Sequence, residues 1–599
     1  MLPVEDIREQ IVSALVESKR LIVSAPTGSG KSTQIPQMLL DENLVGDKEI
    51  WVLQPRRMAT RMLARRVANE RGAELGDEVG YQIRFDNKTS KLTRIRFVTE
   101  GILFRRLQLD KELSNIGAIV FDEFHERHLE GDLSLALTRE IQSEKRPDLI
   151  MLVMSATIET DKLREYLTPC SLLEAEGVSF PVDVSYSPVP TLVDRPFVLF
   201  DHVAKQCKKL SLEMEGDVLI FMPGVFEIRQ TINALSRIGL DRHYDLMPLH
   251  GELSLDVQER AVASGGKPKI IVSTNIAETS LTIEGVKVVI DSGLAKVSRF
   301  DSRRGINTLL VDKISRASAD QRKGRAGRVS EGFCIRLWSK NDHDGRLAQE
   351  VPEIGRVDLS ETVLSLKAMG VNDVRSFHWF EKPLENTLFK AEALLVQLGA
   401  IDRLGKLSKM GLKMSSFPLN PRFSRMLIES DKYKCVPIIA TYSALTQTRN
   451  ILLPLRDKAL DRKRDELLGD FDSDYDRQVR VLEWVKENQY DYEFCKRWGI
   501  HLQGVRQVEK IKENFLDIAY QNGLDTQLAC VDGMAYRRCL LIGFSDNIAK
   551  RTTRGTLHCV MTNGRKGELR RDSAARNESL IIPTDIQEQK SKNGIQVLL

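Results

Sequence analysis

The run Ala25-Pro26-Thr27-Gly28-Ser29-Gly30-Lys31-Ser32-Thr33 is the first stretch of this sequence whose residue types and spacing could do chemistry. The apolar Leu21-Ile22-Val23 before it reads as a strand, and the residues after it as a helix start. Gly28 and Gly30 let backbone N–H groups turn inward around a phosphate, with Thr27, Ser29 and Thr33 completing the cradle; the helix N-terminus adds its positive dipole end. In such a loop Lys31 reaches the β- and γ-phosphates of a nucleotide and the Ser32 hydroxyl holds Mg²⁺. A second group is the acidic pair Asp122-Glu123, directly after the apolar Ala118-Ile119-Val120-Phe121 and before Phe124-His125. Acids at the carboxyl end of a parallel strand sit beside a phosphate loop. Asp122 can orient the metal, and Glu123 can take the proton from an attacking water. A third group is Gln321-Arg322-Lys323-Gly324-Arg325-Ala326-Gly327-Arg328. Arg325 and Arg328, three apart, share a helical face, and guanidinium forks suit the charge of a transferring phosphoryl group. Gln321 could position the water.

The elements that must hold these groups follow from the apolar pattern. Up to about residue 179, short apolar runs alternate with amphipathic helical stretches, the βαβ rhythm of a parallel sheet. The rhythm restarts after about residue 190, with strands at 218–221, 269–272 and 286–290, but without a second glycine-lysine loop. One domain therefore grips phosphates and the other completes the site across a cleft, which makes hydrolysis depend on closure. Arg56 and Arg57, and then Thr99, follow strands at the same sheet edge and suit a phosphate backbone. Ser155-Ala156-Thr157 follows the fourth strand, where Ser155 and Thr157 could link nucleotide state to the neighbouring domain.

After Trp338 long amphipathic helices replace the alternation. Residues 391–399 end on a glycine stop, and 407–417 read as a small wing. The charge-dense stretch 460–474 is read as part of a packed bundle because Leu467, Leu468, Phe471, Val481, Leu482 and Trp484 accompany it. From residue 543 strand-like runs suggest a small β-barrel, with a basic surface from Arg551, Arg554, Arg565, Lys566, Arg570 and Arg571, and 590–599 is expected to fray.

Composition narrows the class. The 599 residues demand several domains, and 42% apolar with 29% charged residues fits an ordinary globular chain. A net charge of +4 neither supports nor excludes nucleic acid. The eight cysteines include no C-x-x-C pair, so no zinc cage or redox motif is indicated. No signal peptide is recognisable and no apolar run approaches membrane-spanning length, so a cytoplasmic enzyme is expected.

Taken in order, A-P-T-G-S-G-K-S, Q-P-R-R, T-E-G, D-E-F-H, S-A-T, F-M-P-G (221–224), T-N-I-A-E-T-S-L-T (274–282) and Q-R-K-G-R-A-G-R resemble a superfamily 2 helicase of the DEAH/RHA type. Phe124 departs from the alanine of D-E-A-H, and D-E-F-H-E-R followed by Gly131-Asp132-Leu133 resembles the bacterial HrpB-type branch. HrpB-type chains usually continue further than this one. The resemblance implies an α/β multidomain fold: two tandem RecA-like parallel-sheet domains (1–180 and 181–345, the second with a hairpin at 296–311), then a winged helix (346–417), a ratchet-like helical bundle (418–536) and an OB-like barrel (537–599). It implies Lys31, Ser32, Asp122 and Glu123 in the roles above, and Gln321, Arg325 and Arg328 as sensors of the γ-phosphate. It places Arg56, Arg57, Thr99, Thr274 and Asn275 along the nucleic acid, and His125, Ser155, Thr157, Glu278 and Thr279 in coupling. It further implies ATP with loose NTP selectivity, Mg²⁺, and 3′-to-5′ motion on single-stranded nucleic acid, RNA favoured, by a monomer that can answer to an accessory activator. A DNA-directed motor and a hydrolysis-deficient clamp are the alternatives.

Overall fold

Strand β1 (Arg20–Ser24) is buried over its first four residues, and the loop that follows it can only be reached at the strand's carboxyl end. Around β1 the first part of the chain builds an eight-stranded sheet from β2 (Glu49–Gln54), β3 (Val79–Ile83), β4 (Asp86–Lys88), β5 (Ile95–Thr99), β6 (Ile116–Phe121), β7 (Ile150–Ser155) and β8 (Ser171–Glu174). The order is β4-β3-β5-β2-β6-β7-β1-β8, parallel except for the β3–β4 pair. Runs such as β6 and β7 are buried at every position, as expected of strands covered by helices on both faces. Phosphate loop, acidic pair and Ser155 thus end β1, β6 and β7, three adjacent strands of one edge.

In the computed structural model the described residues are all but 1, 27, 85, 156–159, 177–179, 189–195, 211–215, 252, 254, 264, 279–282, 284, 302–305, 449, 454, 456, 528–532, 554, 563, 565, 585, 592–593 and 599. A second sheet collects β9 (Val182–Tyr186), β10 (Asp217–Phe221), β11 (Asp245–Leu249), β12 (Lys269–Ser273), β13 (Val286–Asp291) and β16 (Gly332–Arg336) in the order β11-β12-β10-β13-β16-β9. Its five neighbour pairings are all parallel. Strands β14 (Leu294–Asp301) and β15 (Ile306–Lys313) pair as a separate hairpin, as the turn sequence between them predicts.

The chain divides into two compact units. Unit 1 (Met1–Arg299, Leu309–Arg356, His378–Lys382) holds both parallel sheets; unit 2 (Phe300–Thr308, Val357–Phe377, Pro383–Leu599) holds the hairpin tip, the helices and the last strands. In unit 2 the buried helix Val436–Gln447 packs against Leu502–Gln521. Arg422 meets both Asp546 oxygens at 2.7 and 2.6 Å, and Asp474 accepts from Ser573 at 2.6 Å, so the helices hold the C-terminal strands by charged contacts.

Three expectations change here. Residues 407–417, expected as a small wing, are largely the helix Lys409–Ser415, because the Ser408 hydroxyl caps it by accepting from Gly411 N, and an isolated antiparallel bridge pairs Ile401 with Leu407 just before it. Fraying is expected from residue 590, but β21 (Gln587–Ser591) and β22 (Gly594–Leu598) pair antiparallel. With β17 (Ala549–Arg551), β18 (His558–Met561), β19 (Lys566–Glu568) and β20 (Leu580–Ile581) they form one sheet, β20-β17-β18-β19-β22-β21. Among the described residues no pairing joins β20 to β21, so the expected barrel closure is not found. Two- and three-residue strands offer few ladder bonds with which to close one.

Candidate nucleotide site and its arginine face

Gly28 and Gly30 lie at φ 93° and 86°, backbone that L side chains rarely adopt. A Cβ at Gly28 would meet nothing within 4 Å, so the loop has open space above it. Gly30 caps the helix Lys31–Asp41, which points its first N–H groups toward the loop. The Lys31 side chain is 3% exposed, and its Nζ donates to the Ala25 carbonyl at 3.2 Å. That acceptor is main chain, so alanine can stand where a glycine is usual. Ala25 N donates to Ser155 O at 3.1 Å, tying the loop to the start of the S-A-T motif. Thr27, Thr157 and Thr279 lie outside the described residues.

Asp122 is buried, and its carboxylate accepts from Gln54 Nε2 at 2.5 Å, from Glu123 N at 2.8 Å and from the Ser32 hydroxyl. Burial, and next the neighbouring Glu123, push its carboxyl up to about 6 against the pull of Lys31, Ser32 and Gln54. Glu123 sits in left-handed backbone at φ 51°, and its buried Oε2 has no hydrogen-bond partner among the described residues; His125 Nδ1 is 3.5 Å away. The buried Ser29 Oγ is likewise without one. An ammonium group, loop amides with room before them, a hydroxyl on a carboxylate and an orphaned carboxylate oxygen together fit a triphosphate with Mg²⁺.

The second sheet brings its arginines to this place. Burial and then Arg328 hold Arg325 well below the usual guanidinium range, opposed by Glu123 and Glu278; its Nε donates to the Glu278 carbonyl at 2.9 Å. Burial pushes Arg328 down to about 10, and Glu123 is the charge that opposes it. The charge of the Glu123 carboxylate thus favours the charged form of both guanidinium groups. The Gln321 amide nitrogen lies 2.9 Å from His125 Nε2, so Gln321 reaches the D-E-F-H motif through the imidazole. Burial holds His125 below its ordinary range, which leaves a neutral ring.

Arg322, to which the sequence reading assigned no role, is the anchor of this helix. It is fully buried, pairs with Glu278 at 2.8 Å and Asp291 at 2.7 Å, and stacks over Phe221 at 4.8 Å. Ser318 Oγ donates to the other Glu278 oxygen at 2.5 Å. Glu278 is thereby fixed by the helix Arg316–Lys323; Arg325 and Arg328, expected to share a helical face, instead lie in the turns that follow the end of that helix. Gln54 was also missed; its position at the end of β2, the strand beside β6, is the signal that could have found it.

Of the expected track residues, Arg56 and Asn275 meet: Arg56 Nη1 donates to the Asn275 carbonyl while Nη2 pairs with Glu126 at 3.0 Å. Arg57 is exposed at the first position of the helix Arg57–Glu70. Thr99 occupies the N-cap position of Glu100–Leu109, and the Thr274 hydroxyl caps the turn Asn275–Ala277 by accepting from Ile276 N at 3.5 Å. Behind them His128 bonds Glu100 at 3.0 Å and lies 3.5 Å from Glu126. Burial disfavours its charge, but Glu100, then Glu126 and Glu353, outweigh burial and push the imidazole up to about 10.

Comparison with known proteins agrees with this geometry. Residues 5–166 match the DEAD/DEAH box helicase family, 201–330 the helicase conserved C-terminal domain, 391–419 the winged-helix part and 420–492 the ratchet-like part of the helicase associated domain HA2. The chain is 34% identical over 586 residues to human "Probable ATP-dependent RNA helicase DHX35", covering 93% of this chain and 82% of that protein. It is 36% identical over 506 residues to "ATP-dependent RNA helicase HrpA" and 40% identical over 432 residues to "ATP-dependent RNA helicase HrpB", both of Escherichia coli K12. Those matches cover 82% and 72% of this chain but only 38% and 52% of the relatives. The crystal structure of Escherichia coli DEAH/RHA helicase HrpB superposes with a TM-score of 0.76 at 33% identity, over 97% of this chain and 68% of that one. The chain belongs to the DEAD/DEAH-box helicases, and within them to the DEAH/RHA type near HrpB.

Proposed function

We propose that this protein is an ATP-dependent RNA helicase or translocase that moves 3′-to-5′ on single strands. The observation that carries the reading is that the arginine motif of the second sheet reaches the acidic motif of the first: Gln321 lies 2.9 Å from His125, and the Glu123 charge acts on both Arg325 and Arg328. Gly28, Ser29, Gly30 and Lys31 bind the triphosphate, joined by Thr27 and Thr33 of the same loop. Ser32 and Asp122 would hold Mg²⁺, which when bound would neutralise phosphate charge. Glu123 accepts the proton of the attacking water, and its orphaned Oε2 is the acceptor with capacity to spare. Arg325 and Arg328 answer the charge that spreads over the departing phosphoryl oxygens in a water-poor site. Gln321 and His125 report the nucleotide state between the sheets, together with Ser155, Thr157, Glu278 and Thr279.

Arg56, Arg57, Thr99, Thr274 and Asn275 contact the RNA backbone, and the Arg56–Asn275 bond makes the two track loops neighbours. The C-terminal sheet contacts the RNA backbone through exposed Lys566, Arg570 and Arg571. ATP is the working nucleotide, other NTPs are accepted, and the protein acts as a cytoplasmic monomer open to an accessory activator. Among the described residues no helix is long and apolar enough to cross a membrane.

The test is steady-state ATP hydrolysis with and without matched single-stranded RNA and DNA, followed by unwinding of duplexes with a 3′ or a 5′ overhang. Severalfold stimulation by RNA and unwinding from the 3′ overhang are expected. Stimulation by DNA alone would make it a DNA motor, and absence of hydrolysis a clamp.

A further inference from the structure

The D-E-F-H motif continues into a tight turn with two strained ends. Glu123 and Arg127, both at φ 51°, flank the 3-10 turn Phe124–Glu126. Left-handed backbone at two non-glycine residues is strained and persists only where the surroundings over-determine it. Two short segments of unit 1 supply that grip, and each borders a point where the chain passes into unit 2.

The first is residues 353–356. Glu353 N donates to the Arg127 carbonyl at 3.0 Å, and Glu353 Oε2 accepts from Leu129 N at 2.9 Å, at the head of the helix Leu129–Glu144. The second is His378–Lys382, whose chain neighbours on both sides belong to unit 2. Phe380 packs on Phe124 with ring centroids 5.6 Å apart, and Arg127 lies 4.4 Å over the Phe380 ring. Glu381 pairs with Arg127 at 3.0 Å and with Lys162 at 3.2 Å. Tyr166 donates to the His378 carbonyl at 2.6 Å and meets Phe380 edge-on at 5.1 Å. Lys162 and Tyr166 lie on Thr160–Leu167, the helix after the S-A-T motif. Arg127 is also held by both Asp132 oxygens, at 3.0 and 2.9 Å. Phe124 and Phe380 are 6% and 7% exposed, so the contact is dry. The alanine of D-E-A-H would bring no ring to Phe380; the Phe124 departure creates the contact.

We infer that Phe380, through Phe124 and Arg127, is a positioning residue for Glu123: the His378–Lys382 segment clamps the turn that aims the general base. The inference rests on the proposed hydrolysis. It also puts the two places where the chain leaves unit 1 for the winged-helix region on the hydrolysis turn itself.

The experiment measures ATP turnover and ATP-analogue binding for the full chain, for Phe380→Ala and Phe380→Tyr, and for Glu123→Gln with and without Phe380→Ala. Small displacements of a reacting group cost up to about 100-fold, so a fall in kcat of about tenfold or more is expected for Phe380→Ala, with analogue affinity changed less than about twofold. Phe380→Tyr restores most of the rate. In the Glu123→Gln background, single-turnover hydrolysis falls no further on adding Phe380→Ala, because the group being aimed is already gone. Losses that multiply in the double variant, or a kcat loss matched by lost affinity, overturn the inference. Should Phe380→Ala not fold, Glu381→Gln keeps the ring and removes the pairing with Arg127 and Lys162; unchanged kcat in that variant is then the overturning result. An unsubstituted chain that hydrolyses no ATP sinks the proposed function and this inference together, whereas an active chain indifferent to Phe380→Ala sinks the inference alone.

Discussion

In the proposed hydrolysis Glu123 is the residue on which the chemistry turns. It is buried, one of its oxygens lacks a hydrogen-bond partner among the described residues, and its charge opposes the effect of burial on Arg325 and Arg328. Nothing in the phosphate loop depends on its charge for contact, since Lys31 bonds the Ala25 carbonyl. Glu123→Gln keeps the shape and removes the proton acceptor. Its kcat should fall by about 10²–10⁴-fold while equilibrium ATP-analogue binding stays within about twofold. Turnover near the unsubstituted rate would take Glu123 out of the base role. Arg322 is a contrasting case, a residue whose charge is structural. Its removal would strand Glu278 and Asp291 as buried carboxylates, the kind of loss that costs about 3–5 kcal/mol.

At the scale of elements, one short stretch ties the track loops to the hydrolysis motif. Arg56 at the head of one helix, Glu126 in the turn, His128 before the next helix and Glu100 at the head of a third form a chain of ion pairs. The charges facing His128 come from three elements: Glu100, Glu126 with its partner Arg56, and Glu353. A histidine raised to about 10 in the fold against about 6.5 unfolded contributes stability that is complete below about pH 6.5 and lost as pH rises through about 10. The gap in unfolding free energy between the natural chain and His128→Gln, measured by denaturant titration, should therefore be widest near pH 6. It should close by about 1.4 kcal/mol for each pH unit above 6.5. A gap that stays constant from pH 6 to pH 10 would show that His128 carries no charge in the fold.

For the whole molecule, the decisive fact is that one unit contains both parallel sheets and therefore both sides of the proposed nucleotide site. A ligand that binds only this folded arrangement stabilises it by mass action. At about 100 times its Kd, a non-hydrolysable ATP analogue with Mg²⁺ should stabilise by about 2.7 kcal/mol, raising the first thermal transition by about 2–4 °C. Lys31→Ala should lose that rise without losing its own cooperative melting. An equal rise in the variant would mean that the analogue binds elsewhere.

Much of this was legible in the sequence because the chemistry is local. Phosphate loop, acidic pair and arginine motif each lie within eight or nine consecutive residues, and β1, β6 and β7 are unbroken apolar runs. Spacing and residue type therefore settle the two-sheet architecture and the family. Where strands are two or three residues long, as in the C-terminal sheet, no periodicity exists to read, and the barrel expectation had only resemblance behind it. Partnerships between residues far apart were invisible for a different reason. Arg322 with Asp291, Gln54 with Asp122 and Phe380 with Phe124 are separated by 31, 68 and some 250 positions, and no local rule couples them. The sequence by itself determined which groups could bind and split a triphosphate. Only the tertiary structure decided what holds them in place, because burial and charge pairing depend on which distant segments the fold brings into contact.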